Sequence, residues 1–482
     1  MASHIQDAAA PVTPNDVDYV EKDADGLDVV DKSQQEGMSI PMMFLVCCPK
    51  MAMNMAWAAQ WAAFGPLLQV LLSYSSVQGV QIVGPVSGLL VAPFIGVLSD
   101  STTSKYGRRK PWLFWGAITS IMCWAVMMNA RDIGDALGDT GDDNRPWTTV
   151  FVVFCYVWMD ITCNLTQVPV VLLIADLAGN RQVTAASIGQ GWSIAGSLVV
   201  SGYISFFGPA HKSIKPFMGM LMVIMFVCCM SVCWFVKEEQ YIPAVKPDTK
   251  QQLKDAFSAL YVGLRKLPKV LALYALIFLL LQYGYTAYNG AKGQFFGIRV
   301  KDGLATGADT CGTGSNPACT DRQNAFNDGV RLAGGVTDTI FNLFGWAYLA
   351  CMPFLVRKIG AKWVIVMACV PQVLLIVMAF CKVVVIDVII VILTSIPQQT
   401  IFALQLPLIV YQIGLAPDNN LGMYAGAFNS ANCAGQFLNF ALATQLVKTS
   451  MTFALPVLVG GILSTVALII AIFFFKLDMK TM

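Results

Sequence analysis

Read for hydropathy, the chain is a succession of long apolar runs separated by polar breaks. Twelve runs stand out, near residues 51–73, 78–98, 112–129, 148–177, 184–207, 216–236, 270–290, 332–356, 362–381, 384–415, 421–446 and 454–475. Each holds about 18–30 residues, enough to cross a hydrocarbon layer of about 30 Å at 1.5 Å per residue. The tenth is long and carries Pro397 and Pro407, interruptions that a membrane tolerates where neighbours or a cavity satisfy the freed backbone groups. The pattern predicts an all-α polytopic membrane protein with twelve transmembrane helices. Six runs precede a polar stretch at 237–268 and six follow it. The expected organisation is a tail (1–39), a six-helix half (40–236), a linker (237–268) and a second six-helix half (269–482), with a central site between the halves.

Composition agrees with this picture and excludes a soluble alternative. Hydrophobic residues make up 56% of the 482 positions and charged residues 12%, against roughly 25% charged in ordinary soluble domains. Residues 1–39 hold nine acids and two lysines, leaving 29 bases against 20 acids in the remainder. That opening stretch lacks apolar periodicity and reads as a disordered acidic tail. It shows neither the basic-then-apolar order of a secretory signal nor the basicity of a transit peptide. Lysine and arginine set the orientation. With the N-terminus inside, the inner connections carry 15 of them, Lys105, Arg108, Arg109 and Lys110 among these. The outer connections carry 11, five of which sit in the long seventh-to-eighth connection. Both termini are expected in the cytosol, with the plasma membrane favoured over an internal one.

Twelve of the 14 cysteines lie in apolar runs, where a small buried hydrophobe is the plain reading. Cys311 and Cys319 stand apart in a polar loop expected outside; a disulfide and two free thiols both remain open. With His4 and His211 the only histidines, neither a metal site nor imidazole catalysis has material to work with. No P-loop or Ser/His/Asp set is present, so an enzyme is not expected, nor a nucleic-acid partner; no cofactor is required.

The chemistry gathers on a few helical faces. Asp160 lies twelve residues into the fourth run. An intramembrane carboxylate costs about 2.5–3.5 kcal/mol on insertion scales and is a functional candidate by default. A carboxyl buried in one state and wetted in another exchanges a proton, which is what coupling to a proton gradient requires. Tyr156, Asp160, Asn164 and Gln167 follow at spacings of 4, 4 and 3 and share one face. Amides and aromatic rings suit a sugar, whose hydroxyls donate and accept while its CH faces stack. Trp57 and Gln60 in the first run, Gln282 and Tyr285 in the seventh, and Asn432 and Gln436 in the eleventh extend the candidate set. For the eleventh run, hydrogen bonding between helices is an equal alternative.

One segment is more specific. Gly84–Trp112, GPVSGLLVAPFIGVLSDSTTSKYGRRKPW, closely resembles the second-span signature of the plant sucrose transporters and their animal relatives, in the glycoside–cation symporter branch of the major facilitator superfamily. Trp57, Ala58, Gln60 and Pro66 resemble the W-A-x-Q-x(5)-P of that family. WMDITCNLTQVP resembles its W-x-L-D-x-x-x-N-x-x-Q-x-P, and Ala175-Asp176-Leu177 its A-D-L ending. The likeness is strong in the first, second and fourth runs and thin after residue 240. It implies the major facilitator fold, Asp160 as the proton-coupling residue, and a cytosolic gating turn of Gly96, Asp100, Gly107, Arg108 and Arg109 with Asp100 paired to the arginines. Two departures stand out. Val171 occupies the position of a family arginine, and NGAKGQFFG, with Lys292, replaces an acidic motif near the end of the seventh span. The expectation is a proton-coupled sugar or glycoside symporter in the lipid bilayer, working by alternating access. An uncoupled facilitator of a sugar or another polar metabolite, or a transporter-like solute sensor, are the alternatives.

Overall fold

Hydropathy and small-residue patterning together decide which helices form and how they meet. The computed structural model describes residues 21–22, 28–29, 38–140, 145–178, 181–240, 249–312, 316–413 and 421–479. In chain order its main helices are α1 (Ile40–Leu71), α2 (Tyr74–Ser99), α3 (Lys110–Met128), α4 (Pro146–Ala178), α5 (Gln182–Phe207), α6 (Ile214–Phe235), α7 (Thr249–Arg265), α8 (Lys269–Asn289), α9 (Asp321–Ile359), α10 (Ala361–Phe380), α11 (Val384–Gln405), α12 (Leu421–Leu446) and α13 (Ala454–Phe473). Ten of these, all but α5, α7 and α12, are long and apolar enough to cross a membrane among the described residues. Helices α5 and α12, of 26 residues each, are richer in Gly, Ser and Ala and pack closely on α1 and α8. A Cβ on Gly196 of α5 would lie 2.2 Å from the Met51 carbonyl oxygen, and one on Gly435 of α12 2.4 Å from that of Leu279. Only glycine lets these backbones approach so closely.

Two of the hydrophobic clusters each draw on one stretch of the chain. One is drawn entirely from residues between Met43 and Val236, another from residues between Leu271 and Met479. Helix α7 lies in the stretch read as a linker and packs against both α2 and α12. Most of the acidic tail lies outside the described residues. What is described of it is a two-residue antiparallel ladder, Glu21–Lys22 against Asp28–Val29.

Two helices begin earlier than hydropathy predicts. Helix α1 starts at Ile40 because IPMMFLVC continues the apolar pattern through Pro49. Helix α9 starts at Asp321 with a polar segment, DRQNAFNDGVR, fixed by a capping box between Thr320 and Gln323. Too polar for lipid, that segment joins the described loop residues 301–312 and 316–320 as a lid over one end of the helices. Cys311 and Cys319 are joined within it, their Cα atoms 4.7 Å apart. The opposite end carries the 101–109 basic turn. Three π-helical segments interrupt the bundle, at Gln60–Phe64, Phe295–Val300 and Leu332–Thr337. Such irregular turns are found mostly where helices carry function.

Candidate functional site

A cavity of about 630 Å³ lies between the two groups of helices, within the size range of small-molecule sites. Its wall contains Trp57, Gln60, Asn164, Gln167, Gln282, Tyr285, Asn432 and Gln436. Tyr156 is not among them. It is fully buried on α4. The wall is held in place by its own hydrogen bonds. The Trp57 indole donates to Gln167 Oε1 (2.6 Å), Asn164 Nδ2 to Ser87 Oγ (3.1 Å), Gln282 Nε2 to Gln398 Oε1 (2.9 Å), and Gln436 Nε2 to Asn432 Oδ1 (3.0 Å). Gln398, Gln399, Asn54, Ser193 and Asn342 add polar groups that sequence reasoning missed. Amides at i and i+1, as in Gln398-Gln399, give no helical stripe to find.

Asp160 stands one layer behind this wall. It is fully buried; Gln60 Nε2 donates to its Oδ1 (3.0 Å), and its Oδ2 has no hydrogen-bond partner among the described residues. Gly84 is the one thin place between it and the cavity: a Cβ there would lie 3.5 Å from Asp160 Oδ1. Gln60, at the start of the first π segment, borders both the cavity and the carboxylate.

The cavity is unequally closed at its two ends. Toward the basic turn its lining includes the exposed side chains Gln190, Phe402 and Asn429. Toward the lid it narrows into an annex of about 180 Å³, where Lys292 and Asn289 are buried. There Lys292 pairs with Asp338. Hydropathy places Lys292 near the end of the seventh run and does not show the break at Gly290 that folds it inward. Above the annex, the lid is fastened to the first six helices. Arg131 pairs with Asp309, Lys212 Nζ donates to the Cys311 carbonyl (3.0 Å), and Arg331 Nη2 donates to the Ser205 carbonyl (2.7 Å). His211 Nε2 meets Asn327 Oδ1 at 2.7 Å. Burial holds the His211 imidazole below its ordinary range, outweighing the Asn327 hydrogen bond and the Asp309 charge, with Lys212 pushing the same way as burial.

Acidic side chains of other elements engage the basic turn. Arg108 Nη2 and Arg109 Nε both engage Asp176 Oδ2 (2.8 and 3.3 Å). Glu238 accepts the backbone N–H groups of Arg108, Arg109 and Lys110 at 2.8–3.0 Å. These contacts tie α3 to the end of α4 and to the segment after α6. The side chain of Asp100 lies outside the described residues. Gly107 takes φ +98° with Glu238 against it, whereas Gly96 has ordinary space. Among the described residues no group of three or more His, Cys, Asp or Glu side chains is placed to hold a metal ion.

Comparison with known proteins agrees with this architecture. The family model described as MFS/sugar transport protein matches residues 79–294. A sucrose transport protein of Arabidopsis thaliana is 28% identical over 206 residues, covering 41% of this chain and 33% of that protein. One from Oryza sativa subsp. japonica is 34% identical over 157 residues, covering 31% and 29%. The matched stretches thus span about a third of these relatives' length. Among solved structures, a D-xylose-proton symporter superposes with a TM-score of 0.61 at 13% identity, covering 90% of this chain and 97% of the other. The nucleoside transporter NupG gives 0.61 at 13%, covering 91% and 100%. At such identities the structural likeness is one of fold. The chain is a multi-pass membrane protein with the major facilitator fold, and in sequence it resembles the sucrose transporters.

Proposed function

We propose that this protein is a proton-coupled symporter of a sugar or glycoside that works by alternating access. The observation that carries the reading is Asp160, a buried carboxylate held by Gln60 directly behind a wall of amides and indoles. A carboxylate accepts hydrogen bonds, and a protonated carboxyl must donate one. Gln60 meets both needs by turning its amide over. Its Nε2 serves the charged form, and its Oε1, unpartnered among the described residues, serves the neutral one. Turning the amide also reverses the group that Gln60 presents to the cavity. Protonation and solute binding thereby act on one side chain.

In this reading the lid end faces outside and is closed, the basic-turn end faces the cytosol, and both termini are cytosolic, at the plasma membrane. The cavity reaches solvent from within. The relatives named as sucrose transport proteins support a sugar as the solute. The protein acts as a carrier and not as an enzyme. An uncoupled facilitator is the second reading, favoured by Val171, which stands where the family places an arginine and is 46% exposed.

The test is purified protein in proteoliposomes, screened with labelled mono- and disaccharides with and without a proton gradient. One proton moving down 100 mV supplies about 2.3 kcal/mol, which sustains about 50-fold accumulation. Asp160→Asn keeps the shape and a hydrogen bond but releases no proton. Uphill uptake should disappear while exchange of labelled for unlabelled sugar continues. Accumulation by well-folded Asp160→Asn protein that still follows the gradient would falsify the coupling role.

A further inference from the structure

The annex at the lid end of the cavity holds a built polar site that coupling through Asp160 does not use. Its floor is the NGAKG segment, Asn289 to Gly293, which leaves α8 at the Gly290 break. The two glycines fix its position. A Cβ on Gly290 would lie 2.7 Å from the Phe440 ring, and one on Gly293 2.5 Å from Pro66 Cγ. Gln81 Nε2 donates to the freed Gly290 carbonyl (2.8 Å). Lys292 is thus clamped between α12 and α1, and its ammonium meets Asp338 at the turn following the third π segment.

The pair is buried yet has hydrogen-bonding capacity left over. The Lys292 and Asp338 side chains are 5% and 15% exposed, and both border the annex. Lys292 Nζ donates to Asp338 Oδ2 and, at 3.0 Å, to Asn289 Oδ1. An ammonium has three donors and a carboxylate about four acceptor positions. One donor and most of the acceptors therefore remain for a ligand. Rigid ring faces flank them: Trp61 stacks on Phe440 with centroids 5.9 Å apart, and Tyr285 on Phe341 at 6.1 Å. Trp61 and Tyr285 border both the annex and the main cavity.

We propose that Lys292 and Asp338 form a diol clamp, a specificity site that reads two adjacent hydroxyls of one sugar ring seated in the annex. The carboxylate accepts from one hydroxyl and the ammonium donates to its neighbour, while the ring's CH face lies on Trp61 or Tyr285. A hydrogen bond to a charged group contributes about 1.5–3 kcal/mol, or about 10- to 150-fold in affinity. The inference rests on the sugar-transport reading.

The test measures equilibrium binding to purified full-length protein, followed by its tryptophan fluorescence, to which Trp57 and Trp61 at the cavity contribute. The probes are sucrose, methyl α-glucopyranoside and the monodeoxy derivatives of each. For wild type, removing one hydroxyl of a particular adjacent pair should weaken binding about tenfold or more. Lys292→Gln/Asp338→Asn removes both charges together and so leaves no stranded ion. It should bind the parent sugar more weakly and treat that deoxy derivative within about twofold of the parent. The exchanged pair, Lys292→Asp/Asp338→Lys, should recover thermal stability without recovering the discrimination. Deoxy penalties that are the same in wild type and the double variant overturn the clamp and leave the transport reading standing. Wild-type protein that binds neither sugar nor any derivative overturns both.

Discussion

The lid should respond to acid through His211. In the closed arrangement this imidazole is 4% exposed, bonded through Nε2 to Asn327, with Nδ1 unpartnered among the described residues and Asp309 and Lys212 as its charged neighbours. Burial holds it neutral there. Lifting the lid exposes it to water, where its ordinary pKa of about 6.5 returns. The open form therefore binds the extra proton. The sign follows directly: the closed form is favoured above about pH 6.5 and loses ground as pH falls below it. Between about pH 7.5 and pH 5.5 the ratio of open to closed should rise, by at most about tenfold or ~1.4 kcal/mol for one proton. Spin labels carried on unnatural side chains at the exposed positions Ala136 and Lys301 would report it without touching native thiols. Pulsed distance measurements should show a longer component growing with acid. His211→Gln keeps a donor for Asn327 Oδ1 and cannot titrate, so its distance distribution should stay flat over that range. Equal acid responses in wild type and His211→Gln would refute the reasoning, as would a wild-type distribution that ignores pH.

Two other outcomes separate features that the sequence presents alike. Gly107→Ala forces a side chain into φ +98° with Glu238 atoms 2.3–2.5 Å from the new Cβ; it should cost about 1–3 kcal/mol in detergent-based unfolding. Gly96→Ala meets nothing nearer than Val168 at 3.9 Å and should change stability by less than about 1 kcal/mol. Tyr156→Phe should leave sugar affinity unchanged, because Tyr156 lies behind the wall. Gln167→Leu, which strips the Trp57 indole of its acceptor, should weaken binding about tenfold in the same fluorescence titration.

The sequence was most legible where helical period and membrane depth coincide. Trp57 and Gln60, or Asn164 and Gln167, have faces that follow from helical spacing, and each pair lines the cavity. Tyr156 continues the Asn164 stripe by the same rule but is fully buried off the cavity wall, and spacing does not encode how deeply a face is packed. Lys292 shows a related limit. Counting inward from a hydropathy edge assumes an unbroken helix, while the break at Gly290 folds this residue toward the cavity. Asp176, 68 residues from Arg108, is a partner of the arginines that no local spacing reveals; the side chain of Asp100, the partner the resemblance implies, lies outside the described residues. The lid was illegible altogether, since a polar loop shows that it avoids lipid and not what it fastens to.

The separation of Asp160 from the cavity wall bears on how such a protein is redesigned. The wall residues Gln167, Gln282, Asn432 and Gln436 have no described contact with the carboxylate; Gln60 and the bare surface of Gly84 reach it, and Asn164 Nδ2 donates to the Asp160 backbone carbonyl (2.9 Å). A library that varies the outer amides and leaves Gln60, Gly84 and Asp160 alone thus changes what is selected without changing the acid behind it. The same layering makes Gly84 a natural place to insert a bulky side chain when a carrier is wanted whose pocket is intact and whose acid is sealed off.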